Sequence, residues 1–160
     1  FSDVSRVIGI DMSLGSLNVV RRRFPAAFLI QADINALPLK DAVLTAVFSV
    51  YNLEHLYYLA DALQEIERVL TARGRLLVGL PTEGGLAWSL GRKLSMKRTY
   101  SKKYNVDYGR VMSIEHCNTA PQVIRECRRR FRLRRQRYFP ISVLPSVHPN
   151  LTIAAEFTKR

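Results

Sequence analysis

Apolar positions fall into two rhythms along this chain. Val7-Ile8-Gly9-Ile10, Ala27-Phe28-Leu29-Ile30 and residues 42–48 are short, nearly continuous apolar runs. Their length and β-branched content predict strands buried on both faces. Elsewhere the apolar residues recur at helical spacing. Leu17, Val20 and Phe24 alternate with Arg21, Arg22 and Arg23. Ser13 or Ser16 can cap that helix and Pro25 stops it. Leu59, Leu63, Ile66 and Leu70 form a second stripe, with Asp61, Gln64, Glu65, Glu67 and Arg68 on the other face. Gly74 is placed to end this helix in a left-handed conformation, and residues 75–80 then read as a strand that Pro81 stops.

Residues 82–118 follow neither rhythm. Gly84-Gly85 makes a turn, residues 87–94 read as a short helix, and the remainder is basic and rich in tyrosine. Thr119-Ala120-Pro121-Gln122 is a capping box with proline in the first turn. The helix it starts runs to about Arg130, burying Val123, Ile124 and Cys127. Residues 131–138 and 151–157 alternate as two strands, an antiparallel pair across the proline-rich segment 139–149. Strand–helix alternation through residue 81 implies a mostly parallel sheet with helices on both faces.

At 160 residues, 48% hydrophobic and 24% charged, the chain has the size and balance of one soluble globular domain, residues 1–160, within which 82–118 reads as an insertion. No apolar run approaches the roughly 18–20 residues that span a bilayer. Cys117 and Cys127 form no CxxC and no disulfide framework, which fits a reducing cytoplasm. His116 and Cys117, being adjacent, cannot easily share one tetrahedral ion, so no metal site with Cys127 and His148 is expected. Asn150-Leu151-Thr152 fits a glycosylation acceptor by chance alone. The net charge of +12 is uneven, with eight arginines between Arg125 and Arg137. Such a cluster suits an anionic surface or substrate, or a solvated edge that resists aggregation.

The candidate chemistry sits at strand ends. The first run finishes at Asp11-Met12-Ser13 and the second at Gln31-Ala32-Asp33, where open α/β sheets bind ligands. Followed by Ser49-Val50-Tyr51-Asn52-Leu53-Glu54-His55-Leu56, the series resembles the class I S-adenosylmethionine-dependent methyltransferases of small-molecule and glycan-pathway type. The resemblance covers nearly the whole chain, from that family's second strand to its last. It implies an α/β, Rossmann-like fold whose mostly parallel sheet ends in an antiparallel pair. It implies S-adenosyl-L-methionine as cofactor, with Asp11 on the ribose hydroxyls and Met12 against the adenine. Asp33 would accept from the adenine amino group with Ile34 beside it, and Val50 and Tyr51 would lie over the sulfonium. The family's first strand and glycine-rich loop would precede Phe1, so the chain reads as truncated at its N-terminus. Cofactor binding by these residues alone is therefore expected to be weak.

His55 is the candidate catalytic base, because imidazole titrates near neutrality and the residue follows the fourth family strand. Glu54 reads as a cap or structural partner. In the family the insertion after the fifth strand often covers the substrate. Here Tyr100, Tyr104 and Tyr108 stand four apart among Lys97, Arg98, Lys102, Lys103 and Arg110. On a helix they form an aromatic stripe edged by cations, suited to a sugar or an anionic group, or to packing on the sheet. The expected activity is methyl transfer to a small-molecule, sugar or lipid-linked acceptor. Two alternatives are an RNA or protein methyltransferase using the arginines, and a non-catalytic binding protein. Nucleic acid is not expected as the acceptor, since Ser49-Val50-Tyr51-Asn52 stands where an Asn/Asp-Pro-Pro-aromatic loop would be.

Overall fold

The first apolar runs form strands β1 (Ile8–Asp11) and β2 (Phe28–Gln31), joined by helix α1 (Leu14–Arg23). Ser13 caps that helix: its hydroxyl accepts from the Ser16 amide at 3.2 Å, and Arg21, Arg22 and Arg23 face the negative end of the helix. Strand β3 (Leu44–Val50) leads through a single 3-10 turn (Leu53–His55) to α2 (Leu59–Val69) and β4 (Leu70–Pro81). After the segment 83–116 come α3 (Ala120–Arg130), β5 (Phe131–Phe139) and β6 (Thr152–Lys159). The computed structural model describes residues 6–82, 85 and 117–160. Residues 100, 104 and 108, and with them the expected aromatic stripe, lie outside the described residues.

The strands make two sheets instead of one. β1 and β2 pair in parallel, with Asp11 opposite Gln31, and stand as a two-stranded sheet. The other four run in the order β3-β4-β6-β5, parallel between β3 and β4 and antiparallel at the two remaining pairings. The expected antiparallel pair is present, while the parallel part is split. Among the described residues β1 pairs only with β2, and β3 only with β4. This changes the burial that the apolar runs predict. No residue of β1 or β2 is fully buried, and Phe28 is 65% exposed.

The core lies where α2 and α3 pack on β4 and β6. Leu63, Ile66, Leu70, Leu76, Leu80, Val123, Phe131, Ile153 and Phe157 are each essentially sealed from water. Each contributes about 1.5–3 kcal/mol of burial relative to an exposed position. The capping box of α3 forms as the sequence predicts, with the Gln122 side chain accepting from the Thr119 amide at 2.7 Å. Gly74, in contrast, does not end α2. That helix passes directly into β4 at Leu70, and Gly74 lies inside the strand. A β-carbon there would stand 2.8 Å from Leu70 Cδ2 and 2.9 Å from the Thr71 carbonyl, so the glycine serves close approach instead of helix termination.

Two anchors fix the loops around the sheet. Arg68 on α2 clamps the segment between β2 and β3. Its Nη1 donates to the Leu39 carbonyl at 2.7 Å, its Nη2 to the Leu37 carbonyl at 3.0 Å, and both Nε and Nη2 engage Glu65. Glu65 in turn accepts from the Leu37 amide at 2.9 Å, and Asp41 sits 2.7 Å from Arg68. Asn150 does the same for the loop between β5 and β6. It is fully buried, its Oδ1 accepts from Ile141 N, its Nδ2 donates to the Leu144 and Ser146 carbonyls, and the Asn150 carbonyl accepts from Thr82 Oγ1.

Two predictions follow from this construction. Amides of β1 and β2 should exchange with deuterium faster than those of β4 and β6, because a two-stranded sheet is marginal in isolation. Equal protection in mass-spectrometric exchange would mean that the two sheets open as one unit. Replacing Arg68 with Ala should lower the melting temperature, and Arg68→Lys should not restore it, since an ammonium cannot fill a five-donor fork. Hydrogen bonding from Arg68 holds the Glu65 carboxyl below its ordinary range. That stabilisation is complete above the usual carboxylate pKa and disappears as pH falls through the depressed one. The gap between wild type and Arg68→Ala should therefore close on acidification, as followed by thermal melts from pH 7 to pH 3.

Candidate ligand cleft

A gap of about 1060 Å³ between the two sheets runs along β1 and β3 from end to end, and the carboxyl ends of β1, β2 and β3 open on it. Ile8, Ile10, Asp11 and Met12 form one wall, Ala32 to Asn35 the next, and residues 44–49 with Asn52, His55 and Leu56 the third. Strand alternation and the tight turns after each strand bring these groups together. The Asp11 carboxylate accepts from the Ser13 amide at 2.7 Å through Oδ1, which holds the side chain across the strand end and leaves Oδ2 free. Asp33 does the same one strand over, accepting from the amide and the side-chain nitrogen of Asn35, both at 2.9 Å. Met12, 67% exposed, lies on the surface between the two acids, with its carbonyl held by Gln31 Nε2.

Of the residues singled out from the sequence, Asp11, Met12, Asp33, Ile34 and His55 line this cleft. Val50 and Tyr51 do not. Tyr51 takes a positive φ of 52°, and its hydroxyl lies 2.9 Å from Thr152 Oγ1 on β6. Its hydroxyl thus reaches β6, and the residues flanking this pair that line the cleft are Ser49 and Asn52. Two further groups went unnoticed in the sequence. Ser49 Oγ and Asn35 Oδ1 are buried at the cleft with no hydrogen-bond partner. Buried polar atoms are nearly always paired, so these two suit a polar ligand lying between the walls. A serine interrupting an apolar strand just before its end was the available signal.

The turn after β3 is built with care. Leu53 and Glu54 are buried, and His55 is partly exposed. The Glu54 carbonyl accepts from Asn118 N at 3.0 Å and from Cys117 Sγ, while Asn118 Nδ2 donates to the Leu56 carbonyl at 2.6 Å. Burial raises the Glu54 carboxyl above its ordinary range. The Glu54 and Asn52 backbone amides and His55 oppose that shift, and Oε1 stands 3.9 Å from His55 Nε2.

The arginine cluster divides. Arg129 and Arg130 on α3 reach Glu126 and Glu67, at 2.9 and 3.1 Å. Arg132, Arg134, Arg135 and Arg137 lie exposed along β5, the edge strand of its sheet, away from the β1–β3 cleft. Among the described residues no helix is long and apolar enough to cross a membrane.

Parallel strands whose carboxyl-end acids converge on a partly apolar cleft define a nucleotide-cofactor-binding α/β protein. The comparisons narrow the class. A methyltransferase-domain family model matches residues 1–78. A "Probable S-adenosylmethionine-dependent methyltransferase" of Mycobacterium tuberculosis is 31% identical over 102 residues, 64% of this chain and 36% of that protein. The ubiquinone/menaquinone biosynthesis C-methyltransferase of Campylobacter jejuni is 34% identical over 76 residues, 48% of this chain and 32% of that protein. The chain thus spans about a third of the length of these curated relatives. Among solved structures, the N-methyltransferase NodS of Bradyrhizobium japonicum, in complex with S-adenosyl-L-homocysteine, superposes with a TM-score of 0.65 at 14% identity, over 96% of this chain and 66% of that one. A Pyrococcus horikoshii protein gives 0.68 at 14% identity, over 96% and 71%. Over its first half to two thirds the chain is thus similar to S-adenosylmethionine-dependent methyltransferases, and the solved structures share its fold.

Proposed function

We propose that the protein transfers a methyl group from S-adenosyl-L-methionine to a small-molecule, sugar or lipid-linked acceptor. The observation that carries this reading is the pair of strand-end carboxylates, Asp11 and Asp33, lining one cleft with Met12 and Ile34 between them. A carboxylate with a free oxygen accepts from vicinal ribose hydroxyls, which is the role assigned to Asp11. Asp33 and the unpartnered Asn35 Oδ1 are the acceptors for an adenine amino group. Met12 and Ile34 give the base an apolar, polarisable bed. When bound, the cofactor supplies an electrophilic methyl group on a sulfonium. What the chain must add is alignment and exclusion of water, worth several kcal/mol where the geometry is held. His55, Asn52 and Ser49, at the end of β3, are the groups placed to orient the acceptor.

The edges of β1 and β3 that border the cleft pair with no other strand among the described residues. A glycine-ended strand lying parallel to both would complete the wall that meets the methionyl end of the cofactor. We infer that the cofactor binds tightly only when such a strand is in place.

Removal of the Asp11 carboxylate tests the reading. Losing charge-assisted bonds of about 1.5–3 kcal/mol each should weaken S-adenosylhomocysteine binding at least tenfold in Asp11→Ala, as measured by calorimetry on the full-length protein. Asp33→Asn should lose less, since an amide oxygen still accepts. A folded Asp11→Ala protein with an unchanged dissociation constant would overturn the assignment.

For the arginines on β5 we propose contact with a negatively charged acceptor or surface. Reversing charge at Arg132, Arg134 and Arg137 should abolish salt-dependent retention on anionic liposomes while leaving cofactor affinity intact. Retention that is insensitive to both salt and substitution would leave these residues as a solvated edge that discourages strand pairing.

A further inference from the structure

The loop between β5 and β6 holds apolar side chains out in water. Val143, at 83%, is the most exposed large apolar residue among the described residues, and Phe139 and Leu144 are 66% and 53% exposed. Ile141 is exposed beside them. The backbone that carries them is well tied. Leu144 N donates to the Ile141 carbonyl at 3.2 Å, Leu151 N to the Phe139 carbonyl at 2.7 Å, and buried Asn150 holds Ile141, Leu144 and Ser146 from within. Apolar side chains exposed singly are ordinary, whereas a run of them from Phe139 to Leu144 is a patch that calls for a partner. Beside it stands the cationic strand. The register of β5 against β6 shifts between Leu133 and Arg135, so Arg132, opposite Thr158, and Arg135, opposite Glu156, share one face. Alternation carries that face on through Arg137 to Phe139, where the apolar run begins. Between Glu126 and Glu156 the chain has no acidic residue, and Glu156 itself sits 3.6 Å from Arg75.

We propose that residues 139–144 and the arginines of β5 form one docking surface for an anionic lipid bilayer. The loop enters the interface while the guanidinium groups hold lipid phosphates at its surface. Apolar side chains next to planar cations match a partner in which hydrocarbon lies just beneath phosphate. Nucleic acid offers the phosphate without the hydrocarbon, and a second copy would bring two arginine-lined edges together. Neither signal anchors a protein firmly by itself, whereas an apolar insertion and a basic patch together do. The inference deepens the lipid-linked acceptor reading above and rests on it for its purpose, because of where the loop leaves the sheet. Phe139 pairs with Thr152, and Thr152 with Pro81 at the carboxyl end of β4. The Tyr51 hydroxyl, 2.9 Å from Thr152 Oγ1, ties that point to the end of β3. The loop therefore emerges at the same end of the sheet as Asn52 and His55, which line the cleft. Tyr57 and Tyr58, exposed at that end and lining the cleft too, are amphipathic side chains suited to such an interface. A bilayer docked there brings a lipid-borne acceptor to the site without its leaving the interface.

The test is co-sedimentation of the full-length protein with vesicles of phosphatidylcholine, alone or mixed in equal parts with phosphatidylglycerol. Wild type should bind the mixed vesicles and not the neutral ones. Val143→Ser with Leu144→Ser leaves every arginine in place, yet should lower partitioning about tenfold or more, through the apolar area it removes. Arg135→Glu with Arg137→Glu should lower it as well, and both variants should bind S-adenosylhomocysteine as wild type does. In Val143→Trp the added fluorescence should move to the blue on mixed vesicles and be quenched by brominated acyl chains, beyond the background from Trp88. Should the double serine variant fold poorly, Val143→Ser alone, at the most exposed position, decides. Vesicle binding unmoved by the loop substitutions overturns the proposal, as does wild-type protein that ignores the mixed vesicles. Equal retention on single-stranded RNA, with no dependence on the loop, would give the arginines to nucleic acid and overturn it too. So would a dimer that the loop substitutions dissociate, which would give the patch to a second copy. Vesicle binding by a wild type that fails to bind S-adenosylhomocysteine would sink the methyltransferase reading and leave the docking surface standing.

Discussion

The four-stranded sheet depends on β4. This strand takes the chain directly from α2, pairs in parallel with β3 along one edge, and pairs antiparallel with β6 along the other. Its inward residues Leu70, Leu76, Val78 and Leu80 are buried under α2 and α3. Because β3 has no other partner strand among the described residues, the position of its carboxyl end is set by the Val47–Leu76 to Val50–Gly79 register. The turn bearing Glu54 and His55 follows from that end. Any slip of one residue would turn Ser49 and the turn after it to the wrong side, so hydrophobic burial in β4 is what aims the site.

β1 and β2 show the opposite regime. They are short, half-buried and, among the described residues, paired only with one another, and Asp11 ends β1 while Asp33 follows β2. What locates their wall of the cleft relative to the core is the segment after β2, held by Arg68 through the Leu37 and Leu39 carbonyls and through Asp41. One guanidinium on a core helix thus sets the loop that follows Asp33 and Asn35. Rigid helix surface positions a ligand-facing loop, a division of labour general to α/β proteins.

Much of this was legible in the sequence because period and punctuation agreed there. The stripe of α2, the capping box at Thr119, and the alternation of β5 and β6 each have one dominant physical cause. The acids at Asp11 and Asp33 stood out for the same reason, as single charges ending apolar runs. What was not legible depended on tertiary neighbours. Gly74 reads locally as a helix end, yet the close approach of Leu70 and Thr71 puts it inside a strand. The contact of the Tyr51 hydroxyl with Thr152, about a hundred positions away, has no local signal. Asn35 and Ser49 gain meaning only when burial shows that their polar atoms have no partner. A pattern along one chain does not contain that information.

Stability and chemistry make separate demands on the turn after β3. Leu53 fills the core and would serve any protein of this shape. Glu54, next to it and equally buried, carries the desolvation of a carboxyl, only partly offset by the Glu54 and Asn52 backbone amides. The local fold accommodates that cost because the surrounding core is large and the Asn118 and Cys117 contacts hold the turn closed. Natural proteins depart from best packing mainly where a site requires it. In this turn one residue fills the core, the next is a buried carboxyl and the third lines the cleft. The same three residues in a purely structural turn would be expected to carry an apolar side chain in the middle.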